Sequence, residues 1–469
     1  MPLLLVALLT AQLFAATSSS IAPSTTNNDD SCDIGVAPAA TLLLPYFYVE
    51  LDGTPSTART TVFSVVNVSP RQQIARVTIW TDWSYPAFTF SLLFSAYDVK
   101  AIDIRELLVK SGRLLPVVPN PNHDQYAIEL CEVRMPQMPM SVLKDLRDML
   151  TTGRADGGTM NCASDAGEVV QVGSNHTTNV AAGYVTIDLV DSCLPVLPTS
   201  PAFFKDLLFD NVLVGDYQSI DPAGFASGWA GGSPLVHIRS IPEGGAAGSI
   251  VPTRLPYTFY DRFTSIDPNM PRTIDRRQPL PSAFAARWID GGPTGFETTY
   301  TMWREALTAP GASCAEYAAN DNIPVAELVR FDERENAAVI GGNVALSKTP
   351  RRGFAAASVV APYSAQFPVL YTTDFGGWAY LNLNNGGAPG STYSAARAGF
   401  GTAAAKGDQF PRNVSQNWVV VNMFAEDRYG VSEDAQWLGN GCSPAMPPTS
   451  SAKAGSPAGR IGPAPNINP

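Results

Sequence analysis

Hydrophobic and polar positions alternate with period two over much of the chain, most clearly in residues 60–83, TTVFSVVNVSPRQQIARVTIWTDW. Residues 61–68 are almost continuously apolar and β-branched. Beyond a Ser69-Pro70 turn, Ala75, Val77 and Ile79 alternate with Arg76, Thr78 and Trp80. A sheet with one buried face produces this pattern, and the short turn predicts that the two strands form a hairpin. Residues 40–51, around LLLPYFYVEL, form an earlier strand region with Pro45 at an edge or bend. Phe88, Phe90, Leu92, Phe94 and Ala96 then alternate with Thr89, Ser91, Leu93 and Ser95, and Ile102 and Ile104 with Asp103 and Arg105. The pattern switches to helical spacing once, at residues 141–152, where Val142, Leu143, Leu146, Met149 and Leu150 share a face between Ser141 and Gly153. Residues 184–190, YVTIDLV, return to a strand.

Residues 199–256 are Gly- and Pro-rich and read as a connection carrying one strand, 235–239. Past it, the landmarks of the first half recur in order. Residues 283–289 and 298–303 flank a Gly-Gly-Pro turn as 61–68 and 74–80 flank Ser-Pro. LVRFD at 328–332 stands where FSAYD stood at 94–98, and GWAYLN at 377–382 where GYVTID stood at 183–188. Either a duplication or generic strand sequence accounts for this order. Residues 418–424 add a last strand. Many short strands with close turns predict a mainly β fold of two tandem β-sandwich (immunoglobulin-like) domains with one short helix and long loops. The expected divisions are a signal peptide and leader at 1–20, a first sandwich at 21–198, a connection at 199–256, a second sandwich at 257–443, and a disordered Pro/Ala-rich tail at 444–469.

Composition bears on compartment and partners. The 469 residues carry a net charge of −11 with no Lys/Arg cluster, which repels phosphate backbones and excludes nucleic acid as a partner. Residues 2–16, PLLLVALLTAQLFAA, are uncharged and apolar, with Ala15, Ala16 and Ser18 for a peptidase. That is a signal-peptide core rather than a membrane span, although no Lys or Arg precedes it and a buried N-terminal helix is the alternative. No later run suits a transmembrane segment, so a secreted, periplasmic or cell-surface location is expected. Six cysteines then read as disulfides, with Cys314–Cys442 in the second half, and Cys131–Cys162 around the helix leaving Cys32–Cys193 in the first. No CxxC occurs and His123, His176 and His237 are scattered, so no zinc site is assigned.

Candidate chemistry is sparse. Ser233 and His237 lie in GGSPLVHI without a GxSxG elbow, and one strand would hold them ~13 Å apart. Asp98, Asp103 and Glu106, or Asp332, Glu333 and Glu335, have the residue types of a glycosidase pair but read as turn residues. Asp29, Asp30 and Asp33, with Asp216 and Asp221, leave a structural calcium open without EF-hand spacing. The remaining candidate is an aromatic ligand-binding face at Trp80, Trp83 and Tyr85, with Trp80 opposite Ala75, Val77 and Ile79 on its strand, where rings could stack on sugars. Asn67, Asn175 and Asn413 stand in N-x-S/T sequons at about the frequency chance supplies.

The segments ATLLLPYF, TTVFSVVN, WTDWS, GYVTIDLVDSC, NVLVGDYQ, PLVHIR, YTFYDRF, DRRQPLP, RFDEREN, FGGWAYLNLN and NGCSP together resemble a group of uncharacterised exported bacterial proteins. The resemblance implies secretion and a β-rich tandem architecture, and brings no catalytic residue, cofactor or ligand. The expectation is an exported structural or adhesion-type interaction protein that meets other surface proteins, leaning away from an enzyme. The alternative is an extracellular glycan-binding or glycan-processing protein using the aromatic surface.

Overall fold

The computed structural model describes residues 37–82, 84–110, 117–119, 126–132, 136, 138–155, 160–161, 170–171, 177–194, 196–198, 200–222, 229–240, 259–260, 275–281, 283–289, 296–304, 323–325, 327–340, 344–346, 357–360, 375–383, 416–425 and 429–438. The protein is mainly β. The first half contributes β1 (Thr41–Glu50), β2 (Thr60–Asn67), β3 (Gln73–Thr81), β4 (Pro86–Phe94), β5 (Val99–Asp103), β6 (Val117–Pro119), β7 (Tyr126–Glu132), β8 (Val180–Val190), β9 (Leu213–Asp221), β10 (Trp229–Pro234) and β11 (Val236–Ile238). The second contributes β12 (Ala283–Ile289), β13 (Phe296–Arg304), β14 (Glu327–Asp332), β15 (Ala337–Ile340), β16 (Ala357–Val360), β17 (Gly376–Asn382), β18 (Asn417–Ala425), β19 (Tyr429–Asp434) and β20 (Gln436–Trp437). Among the described residues no helix is long and apolar enough to cross a membrane.

Three helices occur among the described residues: α1 (Ile104–Val109), α2 (Met140–Thr151) and α3 (Pro201–Asp206). Only α2 follows from the pattern, and it starts after Pro139 with no side-chain cap rather than at Ser141. The alternation expected through Arg105 stops at Asp103, because the Asp103 carboxylate accepts from Glu106 N at 3.1 Å and turns the chain into α1. Ser200 caps α3 in the same way, with a proline at its first position.

The expected hairpin does not form. β3 lies in a seven-stranded sheet ordered β11-β1-β8-β3-β4-β7-β6, whereas β2 lies in a four-stranded sheet ordered β10-β9-β2-β5. The Ser69-Pro70 corner carries the chain from one sheet to the other, and Asn67 holds it. Asn67 Oδ1 accepts from Ser69 N and Oγ, and its Nδ2 donates to Arg71 O and Ser95 O. Segment 199–256 is more than a connection: besides β11 it supplies α3, β9 and β10, so the first set of strands runs to Ile238.

The second half builds a five-stranded sheet, β15-β14-β17-β12-β20, and a four-stranded one, β16-β13-β18-β19. Set against β4-β3-β8-β1-β11 and β5-β2-β9-β10, nine strands recur in the same chain order with the same neighbours. The register recurs too. One row reads His237–Leu42–Ile187–Val77–Phe90 in the first half and Trp437–Phe284–Leu381–Leu328–Ile340 in the second. A row of the other sheet reads Pro234–Asp216–Ser64–Ala101 and then Asp434–Val420–Thr301–Val359. The correspondence differs by one strand from that of the sequence landmarks: β12 and β13 match β1 and β2, and β14 matches β3. GYVTID and GWAYLN do coincide, on β8 and β17. Both use glycine at one point, since a Cβ on Gly183 would run into Trp80 O and one on Gly377 into Phe331 O.

Leu42, Leu44, Val77, Ile79 and Ile187 of the seven-stranded sheet meet Phe63, Val65, Ile102 and Tyr217 of the four-stranded sheet in one core, joined by Leu143, Leu146 and Leu150 of α2. A second core draws on both halves. Leu43, Trp80, Tyr184, Phe203, Phe204 and Phe209 cluster with Phe284, Trp288, Tyr300, Trp303, Leu381 and Trp418. Trp80 and Tyr184, on the second face of the seven-stranded sheet, therefore share a core with residues that follow them by more than a hundred positions.

Candidate functional site

The site is a sheet face that occurs twice, covered once and open once. On β3, Trp80 stacks on its cross-strand partner Tyr184 with centroids 5.5 Å apart and donates through Nε1 to Thr186 Oγ1 at 2.9 Å. Trp303 closes the stack from the second half, its edge on Tyr184 at 5.9 Å and its face along Phe259 at 5.7 Å. Trp80 is 1% exposed and Tyr184 4%. Tyr85 is also buried, but in the first core. Trp80 and Tyr85 thus serve different cores and offer no ring to solvent, while Trp83 lies outside the described residues. The period-two pattern locates the face of Trp80, not its cover.

Next to this stack the same face carries a buried polar cluster. Asp188 accepts from Thr41 Oγ1 at 2.6 Å and from Tyr260 Oη at 2.7 Å, with Arg277 Nε 3.5 Å away. Asp275 receives Tyr260 N at 2.9 Å and Arg277 N at 3.1 Å. Burial pushes the Asp188 carboxyl above its ordinary range, although Arg277, Thr41 and Tyr260 pull it back. Burial also raises the Tyr260 hydroxyl, which remains a hydrogen-bond donor. Arg76 completes the cluster by pairing with Asp206 of α3 at 3.0 Å. These contacts fasten residues 206–208, 259–260 and 275–277 onto the sheet.

In the second half the register puts Trp378 where Tyr184 stands and Phe331 where Trp80 stands. Here no described residue stacks on Trp378 as Trp303 does on Tyr184. Trp378 is 44% exposed, and Phe375 just before it is 50% exposed. The Arg287 guanidinium, from the neighbouring strand, lies 5.8 Å from the Trp378 ring centre and pairs with Glu333 at 2.9 Å. Glu333 follows Asp332, whose carboxylate accepts from Arg334 N, Asn336 N and Asn336 Nδ2 at 2.8–2.9 Å. The result is an exposed indole beside a guanidinium and its paired carboxylate on the sheet. Flat apolar surfaces edged with polar groups suit protein partners and sugar rings alike.

The other candidates do not assemble a reactive centre. Ser233 and His237 sit on β10 and β11, in different sheets, and His237 Nε2 engages the Gly215 backbone. Asp98 holds its own turn through Ser95 N, Val99 N and Lys100, Asp103 caps α1 and accepts from Thr60, and Glu106 pairs with Lys110. Asp221 pairs with Arg59 at 2.6 Å and Asp216 with Ser64. Among the described residues no group of three or more His, Cys, Asp or Glu side chains could hold a metal ion; Asp29, Asp30 and Asp33 lie outside them. Asn67 is fully buried and committed to its turn, which leaves no room for a glycan on the folded chain; Asn175 and Asn413 lie outside the described residues.

Cys131 pairs with Cys193, not with Cys162, at a Cα separation of 5.1 Å. β7 runs parallel to β4 at the far side of the sheet, and its Cys131 reaches the segment leaving β8. The expected pairing around α2 rested on sequence proximity, which sheet order overrides. Cys32, Cys162, Cys314 and Cys442 lie outside the described residues. No family model, curated protein or solved structure matches the chain.

Proposed function

We propose that this chain is an exported interaction protein built by internal duplication of an immunoglobulin-like β-sandwich, and that it binds through the outer face of its second copy. The apolar segment 2–16 and the Cys131–Cys193 disulfide support export to an oxidising compartment. The recurrence of nine strands in one order with the same neighbours supports two sandwiches, β1 to β11 and β12 to β20. The observation that carries the binding role is the 44% exposure of Trp378 at the position where Tyr184 is 4% exposed. An exposed indole at a position whose counterpart is capped marks a surface awaiting an occupant.

A photo-crosslinking residue at position 378 of the full chain, with exposed Met140 as the control position, tests the role in cells that express it. A defined adduct from 378 and not from 140 is expected. The same adducts from both positions, or none from 378, overturns the reading. A second reading, an extracellular glycan-binding protein, is favoured by the Arg287–Glu333 pair beside the indole, which gives a stacked sugar its hydrogen bonds. On a glycan array it predicts signals that Trp378→Ala abolishes.

A further inference from the structure

Beside the contact of β10 with β19, the joint between the two halves sets two surfaces together, and the register gives each of them a counterpart. One surface is the Trp80–Tyr184 face, whose copy is Phe331–Trp378. The other is the row Trp418–Trp303–Ala357, from which Trp303 meets Tyr184. The register places Val214–Val66–Val99 at the copy of that row, on the outer face of the first four-stranded sheet. Val99 is 59% exposed there, with Val66 and Val214 half-buried beside it and exposed Tyr97 at the adjoining turn. The chain therefore carries an apolar valine row on its first half and an open aromatic pair on its second.

We infer that copies of this chain associate head to tail, the Val214–Val66–Val99 row of one copy docking on the Trp378 face of the next. This rests on the reading of the Trp378 face as a binding surface and names its occupant. A second copy is the occupant because the molecule already joins a row at this register to a face at this register. Such an interface is heterologous: the surfaces differ, so association extends into chains or closes into rings rather than stopping at a twofold dimer.

Sedimentation velocity of the full chain across a concentration series, with Trp378→Asp and Val99→Glu, tests it. Both substitutions fall on exposed side chains. The wild-type mass should rise beyond a dimer with concentration, and each variant alone should stay at one chain. An equimolar mixture of the two variants should double in mass and go no further, because each retains the surface the other lacks. That doubling also shows that both variants are folded. Three results overturn the inference: wild type monomeric at every concentration, self-association surviving Trp378→Asp, or dimers of Val99→Glu alone, which mark a symmetric aromatic contact. A monomeric wild type whose position 378 still crosslinks to another molecule overturns self-assembly alone; loss of that crosslink overturns the binding role as well.

Discussion

Trp303 lies edge-on against Tyr184, their ring centres 5.9 Å apart and their planes at 78°, although 119 residues separate them. Through this contact the second half of the chain completes the core over the first sheet. Truncating either ring leaves a cavity shared by both halves, so Trp303→Ala should cost about 3–5 kcal/mol. Trp378→Ala, at the open counterpart of Tyr184, should change stability by no more than about 0.5 kcal/mol. Urea unfolding of the two variants gives the comparison, and equal losses would contradict the covered-and-open description.

Asp434 provides a pH test. Burial, the largest influence, raises its carboxyl to about 6, with Glu433 adding to the rise and the Trp418 indole N–H, at 3.0 Å, and Ser233 opposing it. A carboxyl whose folded pKa lies above its unfolded value takes up protons on folding between the two. Its favourable contribution is present in full below pH about 4 and is lost as pH rises through about 6. The loss is on the order of 2 kcal/mol for this partly buried group. Asp434→Asn should flatten the melting temperature between pH 4 and 7 in about that proportion. A variant whose profile parallels the wild type would contradict this assignment.

The glycines at equivalent points of the two sheets should respond alike. A Cβ at Gly183 or Gly377 meets a neighbouring carbonyl oxygen and an aromatic ring, Phe47 or Trp288 respectively. Each Gly→Ala change should destabilise by about 1–3 kcal/mol through overpacking. Thermal melts of the two variants check the parallel, and a neutral outcome at either position would break it.

The Cys131–Cys193 link spans a sequence separation of 62 residues. In the chain-entropy model its removal costs about 4 kcal/mol. Non-reducing peptide mapping should recover a 131–193 peptide, and a 131–162 peptide would contradict the sheet order around β7.

Local pattern carried much of this fold and little of the site. β3 and β4 are legible from alternation and β2 from its apolar, β-branched run, and GYVTID and GWAYLN mark equivalent strands. The β2–β3 hairpin was not excluded by pattern, because a strand that crosses to a facing sheet has the same periodicity as one that pairs with its neighbour. α1 and α3 are six residues each, shorter than two helical turns, and depend on the caps Asp103 and Ser200. The aromatic face was placed at Trp80 because alternation sets it opposite Val77 and Ile79. What covers Trp80 arrives from Tyr184 and, beyond it, Trp303, and no window around residue 80 contains that fact. Trp378 offered the same signal as Tyr184, an aromatic directly after a glycine, and only the strand neighbours separate the covered ring from the open one.

Hydroxyl-radical footprinting with peptide-level mass spectrometry, on chain diluted until it sediments as one copy, reads the exposure of each tryptophan directly. The account predicts rapid oxidation at Trp378 and slow oxidation at Trp80, Trp288, Trp303 and Trp418, the four buried indoles among the described residues. Oxidation of Trp80 and Trp303 as fast as that of Trp378 would contradict it, since the face in the first half would then be as open as its copy in the second.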